Sequence, residues 1–76
     1  MQNNKDLCLN NNCYNIIHQL SKTLGFLSRA DQYVEDAKKA GDAAAEKVWN
    51  TIKSDRKKHA ELLRDLVKNE ITGNKF

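Results

Sequence analysis

Between Cys13 and Ala37 the apolar residues Cys13, Ile16, Ile17, Leu20, Leu24, Leu27, Ala30, Val34 and Ala37 return at steps of three and four. That spacing lines side chains along one face of an α-helix. A similar cadence marks Ala45, Val48, Trp49, Ile52, His59, Leu62, Leu63, Leu66 and Val67 as the inner face of a second helix. Ala40-Gly41-Asp42 stands between the runs. A glycine there can take the left-handed conformation that ends a helix, and an aspartate can cap the next one. The pattern predicts an all-α chain folded as a two-helix antiparallel hairpin in a single domain, 1–76. Its parts are an irregular arm over 1–11, helices over 12–40 and 42–71, and a tail over 72–76.

The details of that division rest on local chemistry. Residues 1–11 are rich in asparagine, which competes with the backbone for hydrogen bonds and favours turns and caps. Leu7 and Leu9 are expected to pin this arm, and Asn11 or Asn12 to cap the first helix. Gly73 and Asn74 supply a stop for the second. A rival architecture exists, because Cys13, Leu20, Leu27, Val34, Gly41, Val48, Asp55 and Leu62 are each seven apart. One unbroken helix of about sixty residues would span some 90 Å as an antiparallel coiled coil. An interior glycine costs only ~1 kcal/mol. Helices of ordinary length are much commoner, which favours the hairpin.

A chain of 76 residues struggles to enclose a core of its own. Phe26, Tyr33 and Ala40 add a second apolar stripe to the first helix, making its apolar surface wider than one neighbour covers. Such width suits a helix in a four-helix bundle, which touches two neighbours. The expected state is a homodimer, two hairpins completing a four-helix bundle. The net charge of +3 and the 30% charged residues are ordinary for a soluble helical protein. The polar opening Met1-Gln2-Asn3-Asn4-Lys5-Asp6, with no long apolar run after it, reads as neither a secretory signal nor a membrane span, so the expected location is cytoplasmic. Cys8 and Cys13 are then expected as free thiols; in an exported protein they could bridge.

The chemically suggestive stretch is Ser54-Asp55-Arg56-Lys57-Lys58-His59-Ala60-Glu61-Leu62-Leu63. At about 100° per residue His59 falls among Val48, Ile52, Leu62, Leu63 and Leu66, with Asp55 about 40° to one side and Arg56 about 60° to the other. One reading is a metal site across a dimer, each chain giving the His59 imidazole and the Asp55 carboxylate to iron, zinc or manganese. The other is a buried histidine bonded to Asp55 one turn away, adding specificity to a slippery core. Arg56 would repel a cation and favours the second.

The hairpin, with Asp55-Arg56-Lys57-Lys58-His59-Ala60-Glu61-Leu62-Leu63 on its second helix and Ala30-Asp31-Gln32-Tyr33 with Ala37 on its first, resembles half of a ferritin-like protein of the rubrerythrin group. In that family a glutamate on the first helix and a Glu-x-x-His motif on the second hold two metal ions within paired hairpins. The resemblance covers roughly residues 20–66 and implies a helical hairpin that pairs, with the motif's histidine at His59. It departs where the motif's glutamate should stand, at Arg56, and where the first-helix carboxylate should stand, near Gly25-Phe26. It implies the scaffold more than the metal chemistry.

Other signals are weaker. Lys53, Lys57, Arg64 and Lys68 form a cationic stripe roughly 20 Å long, which a nucleic-acid binder could use on phosphates. Glu46 and Glu61 interrupt it and no recognition motif accompanies it, so a solvated outer face is the plainer reading. His18 projects opposite the main seam. Cys8 and Cys13 have four intervening residues, not the usual two of a zinc or redox motif, and Cys13 aligns with Leu20 and Leu27 as a small buried hydrophobe. Ser21, Ser28 and Ser54 have no base and orienter in pattern, and no glycine-rich phosphate loop exists. Trp49, Tyr33 and Phe26 read as packing before they read as a ligand groove. The sequence thus points to a structural or interaction module and away from an enzyme.

Overall fold

The computed structural model of the protein describes residues 9–76. Helix α1 runs Asn11–Lys39 and helix α2 runs Ala43–Thr72, packed against each other as a hairpin. The boundaries lie within a residue or so of those expected from the sequence. Leu7, Cys8 and most of the expected arm lie outside the described residues; Leu9 is half-buried.

The turn settles the choice between a hairpin and one long helix. Gly41 has φ +68°, the left-handed conformation. Its N–H donates to the Lys38 carbonyl and the Asp42 N–H to the Ala37 carbonyl, both at 3.0 Å. These two bonds close off α1 by satisfying carbonyls that no further helical turn reaches. Asp42 then opens α2, its Oδ1 accepting the Ala45 N–H at 2.9 Å. The sharp reversal needs only Ala40, Gly41 and Asp42, and the backbone conformation at Gly41 is its cause.

At the far end, the cap of α1 is Asn10, not Asn11 or Asn12. Its Oδ1 accepts the Cys13 N–H at 2.8 Å, so the helix starts one residue earlier than expected. The stop after α2 also differs in detail. Gly73 has φ −79°, and Asn74 takes the left-handed turn with φ +59°. Asparagine is among the few side chains that visit that region readily. Lys75 then returns its N–H to the Glu70 carbonyl at 2.9 Å. The Lys75 carbonyl in turn accepts from the Cys13 thiol at 3.3 Å and from Asn10 Nδ2 at 3.4 Å. Instead of a loose tail, the C-terminal residues fasten the start of α1 to the end of α2.

Between these ends the seam is narrow. From α1 it buries Ile16, Thr23, Ala30 and Ala37, each seven residues from the next. Small side chains at Thr23, Ala30 and Ala37 let the two backbones approach closely, and larger residues at their flanks fill the sides. From α2 it takes the half-buried Trp49, Ile52, Arg56, Leu63 and Val67. No residue of α2 is fully buried. The molecule measures 49 × 23 × 18 Å, which is two helices wide and one helix-layer deep, since a helix with side chains is about 10–12 Å across. Among the described residues each helix therefore has a single neighbour, and Ile17 and Leu24 of α1 with Val48, Leu62 and Leu66 of α2 stay exposed beyond the seam.

Candidate assembly surface

The sequence expectation placed His59 among the inner residues of α2. The structure turns α2 so that Arg56 lies in the seam and His59 is exposed. The reason is visible around Phe26. The Arg56 guanidinium carbon sits 5.2 Å from the centre of the Phe26 ring, an attraction between a cation and the negative face of the ring. The aliphatic stem of an arginine can line apolar surface while its head stays polar. Phe26 belongs to an aromatic cluster with Tyr33, at 5.8 Å between centroids, and Trp49, at 6.4 Å; Tyr33 and Trp49 are 5.0 Å apart. This cluster and Arg56 fix the rotation of α2. The sequence reading treats Arg56 only as a cation beside His59 and does not find its stacking on Phe26, whose signal is the placement of Arg56 close to the line of Ile52 and Leu63.

Among the described residues, that rotation leaves a stripe of α2 exposed. Val48, Leu62 and Leu66, expected on the inner face, are 54%, 68% and 40% exposed. They lie roughly 90° around the helix from the seam residues. Asp55 and His59 fall in the same stripe and are exposed with it. His59 lines a shallow groove with Gln19 and Thr23 of α1 and Arg56, Leu62 and Leu63 of α2. So the two residues singled out for a metal sit together on the outside of one hairpin, and the buried-histidine reading does not describe the single chain. Among the described residues no group of three or more His, Cys, Asp or Glu side chains is placed to hold a metal ion.

A second apolar stripe flanks the other side of the seam. Ile17 and Leu24 are exposed, and Leu20 and Leu24 line a groove with Ala60, Glu61 and Arg64. Its surroundings are charged. Lys53 Nζ lies 2.5 Å from Asp31 Oδ1. The hydrogen bond from Lys53 and then its charge hold the Asp31 carboxyl below its ordinary value against a smaller opposing desolvation, and the Lys57 charge adds a still smaller effect in the same direction as Lys53. Lys53, Lys57 and Arg64 thus form the rim of this side, with Lys53 already occupied by a carboxylate.

The remaining candidates have local roles. Cys13 is a fully buried free thiol. His18 is half-buried and stacks on Tyr14 one turn before it, ring centres 5.3 Å apart. Ser28 Oγ donates to the Gly25 carbonyl at 2.7 Å, a bond within the helix; Ser21 and Ser54 are exposed. Among the described residues, no helix is long and apolar enough to cross a membrane. No family model, curated protein or solved structure matches the chain.

Proposed function

We propose that this protein is a self-associating helical module, two hairpins pairing into an antiparallel four-helix bundle with a structural or interaction role. The observation that carries the reading is that α2, a helix of 30 residues, buries none of them fully while exposing Val48, Leu62 and Leu66 along one line. Helices this long owe most of their stability to packing of an apolar face. Covering a leucine or valine is worth ~1.5–3 kcal/mol when complete. A second copy supplies the missing neighbour on that face.

The test is Leu62→Glu with Leu66→Glu, followed by sedimentation and by circular dichroism. The reading expects the parent to sediment as a dimer and the double variant to shift to monomer with most of its helix retained. A parent and variant of the same mass in solution would overturn it.

The ferritin-like alternative keeps the same pairing and adds metal. In its favour His59 and Asp55 share one exposed stripe, where two copies could bring them together. Against it, the residue at the position of the family's glutamate is Arg56, engaged with Phe26. One imidazole and one carboxylate per chain do not make up the family's ligand set. Titration with iron, zinc and manganese tests it: a rise in melting temperature supports it, and no shift with any of them removes it.

A further inference from the structure

The exposed face of α2 reads the same in both directions. Val48, Asp55, His59, Leu62 and Leu66 are exposed, and the half-buried Ile52 stands at the edge shared with the seam; the six follow one another at steps of four, three, four, three and four, the seam spacing of a coiled coil. Resting on the self-association just proposed, we infer that α2 pairs with α2 of a second copy, antiparallel, about a two-fold axis level with Lys57. Val48 then faces Leu66 of the second copy, Ile52 faces Leu62, and Asp55 faces His59. Each apolar residue meets an apolar one. The two polar residues meet each other twice, once on each side of the axis.

Charge and register choose this arrangement over its rivals. In a parallel pair like positions meet, so Asp55 would face Asp55 and His59 would face His59. Slipping the antiparallel pair by seven residues one way sets Asp55 against Ile52 and His59 against Val48. Slipping it the other way sets Asp55 against Leu66 and His59 against Leu62. Each rival leaves polar groups against apolar or like-charged ones, and a buried polar pair in a seam is a known device for fixing register at some cost in stability. The groove around His59 is also the right sign for an incoming carboxylate. It contains Arg56, while α1 contributes only the uncharged Gln19 and Thr23. Lys58 flanks the same layers, and its flexible stem can carry its ammonium into solvent. The opposite face of the hairpin is a poorer dimer surface, because doubling it brings Lys57 and Arg64 of two copies together beside Ile17 and Leu24.

The experiment uses two single variants and their mixture. His59→Asp sets two carboxylates against each other in each central layer, and Asp55→Lys sets a lysine against His59. Each is expected to weaken the homodimer by about tenfold or more: the first variant sets like charges across the interface, which is strongly unfavourable, and the second replaces the carboxylate facing His59 with a cation that cannot accept its hydrogen bond. An equimolar mixture restores opposite charges only between chains, so a heterodimer tighter than either homodimer is the result expected. Homodimers of unchanged strength, or a mixture no tighter than its parts, would overturn the register while leaving self-association standing. A parent that stays monomeric would overturn both. Circular dichroism at matched concentration checks that the variants are helical. A second measurement needs no charge change in the central layers. In a Cys8→Ser background, Lys58→Cys should oxidise readily to a covalent dimer across the axis, and Lys47→Cys, near the turn, should not. The reverse pattern would overturn the register.

Discussion

Glycine-to-alanine replacement at two positions has opposite expected signs in this fold. At Gly41 an added Cβ would meet nothing within 4 Å, so space is not at issue, but φ is +68°. Holding an alanine there costs about 1–2 kcal/mol, offset by about 0.4–1 kcal/mol from the stiffer unfolded chain. Gly41→Ala should therefore lose roughly 1 kcal/mol. Gly25 lies inside α1, is exposed, and an added Cβ there also meets nothing within 4 Å. Alanine is favoured over glycine in a helix interior by about 1 kcal/mol, so Gly25→Ala should gain that amount. In a chain of this size each ~1 kcal/mol moves the melting temperature by about 4–8 °C. The two variants should fall on either side of the parent in thermal and urea unfolding at one fixed protein concentration. If Gly41→Ala stabilises as much as Gly25→Ala does, Gly41 lies within a continuous helix and the hairpin is wrong.

Asn10→Ala removes the cap on α1 and one of the two bonds to the Lys75 carbonyl; it should cost about 1 kcal/mol, read as a lower urea midpoint, and speed amide exchange in the first turn. Ala30 is fully buried between the helices, so Ala30→Leu should destabilise by about 1–3 kcal/mol through overpacking; a gain in stability would mean the backbones are not in close contact there. Asp31 has a lowered pKa, chiefly through its hydrogen bond with Lys53. A group with its folded pKa below its unfolded one contributes above the unfolded value, ordinarily 3.8 here, and loses the contribution as pH falls through the folded one. The difference in urea midpoint between the parent and Asp31→Asn should thus be present at neutral pH and close on acidification; a difference that grows in acid would contradict the pairing.

Much of this architecture was legible in the residues, and the part that was not has a physical cause. The three- and four-residue steps specify helices regardless of what covers them, and Gly41 with Asp42 specifies the reversal by backbone chemistry alone. Which stripe faces the neighbouring helix is a different matter. Apolar residues on α2 span an arc wide enough for two partners, so hydrophobicity does not say which half belongs to the hairpin. The decision is made by Arg56 over Phe26, by the Tyr33–Trp49 contact, and by the small residues Thr23, Ala30 and Ala37, which permit close approach. An averaged apolar pattern ranks Leu62 and Leu66 above Arg56, and so it turns α2 the wrong way. His59 interrupts the exposed line of Val48, Leu62 and Leu66, while Ile52 and Leu63, expected on the same face, turn toward the seam. The caps moved by a residue or so because neighbouring asparagines and the Gly73-Asn74 pair offer similar local chemistry, and only the bonds to Cys13 and Glu70 distinguish them.

Sedimentation of the unmodified protein, from about ten micromolar to about one millimolar, reads the central claim most directly, because assembly follows mass action. The expected result is a helical species of twice the chain mass that gives way to a less stable monomer on dilution. A cooperatively folded monomer persisting to the highest concentration would contradict it, since Val48, Leu62 and Leu66 would then remain in water with no partner to cover them.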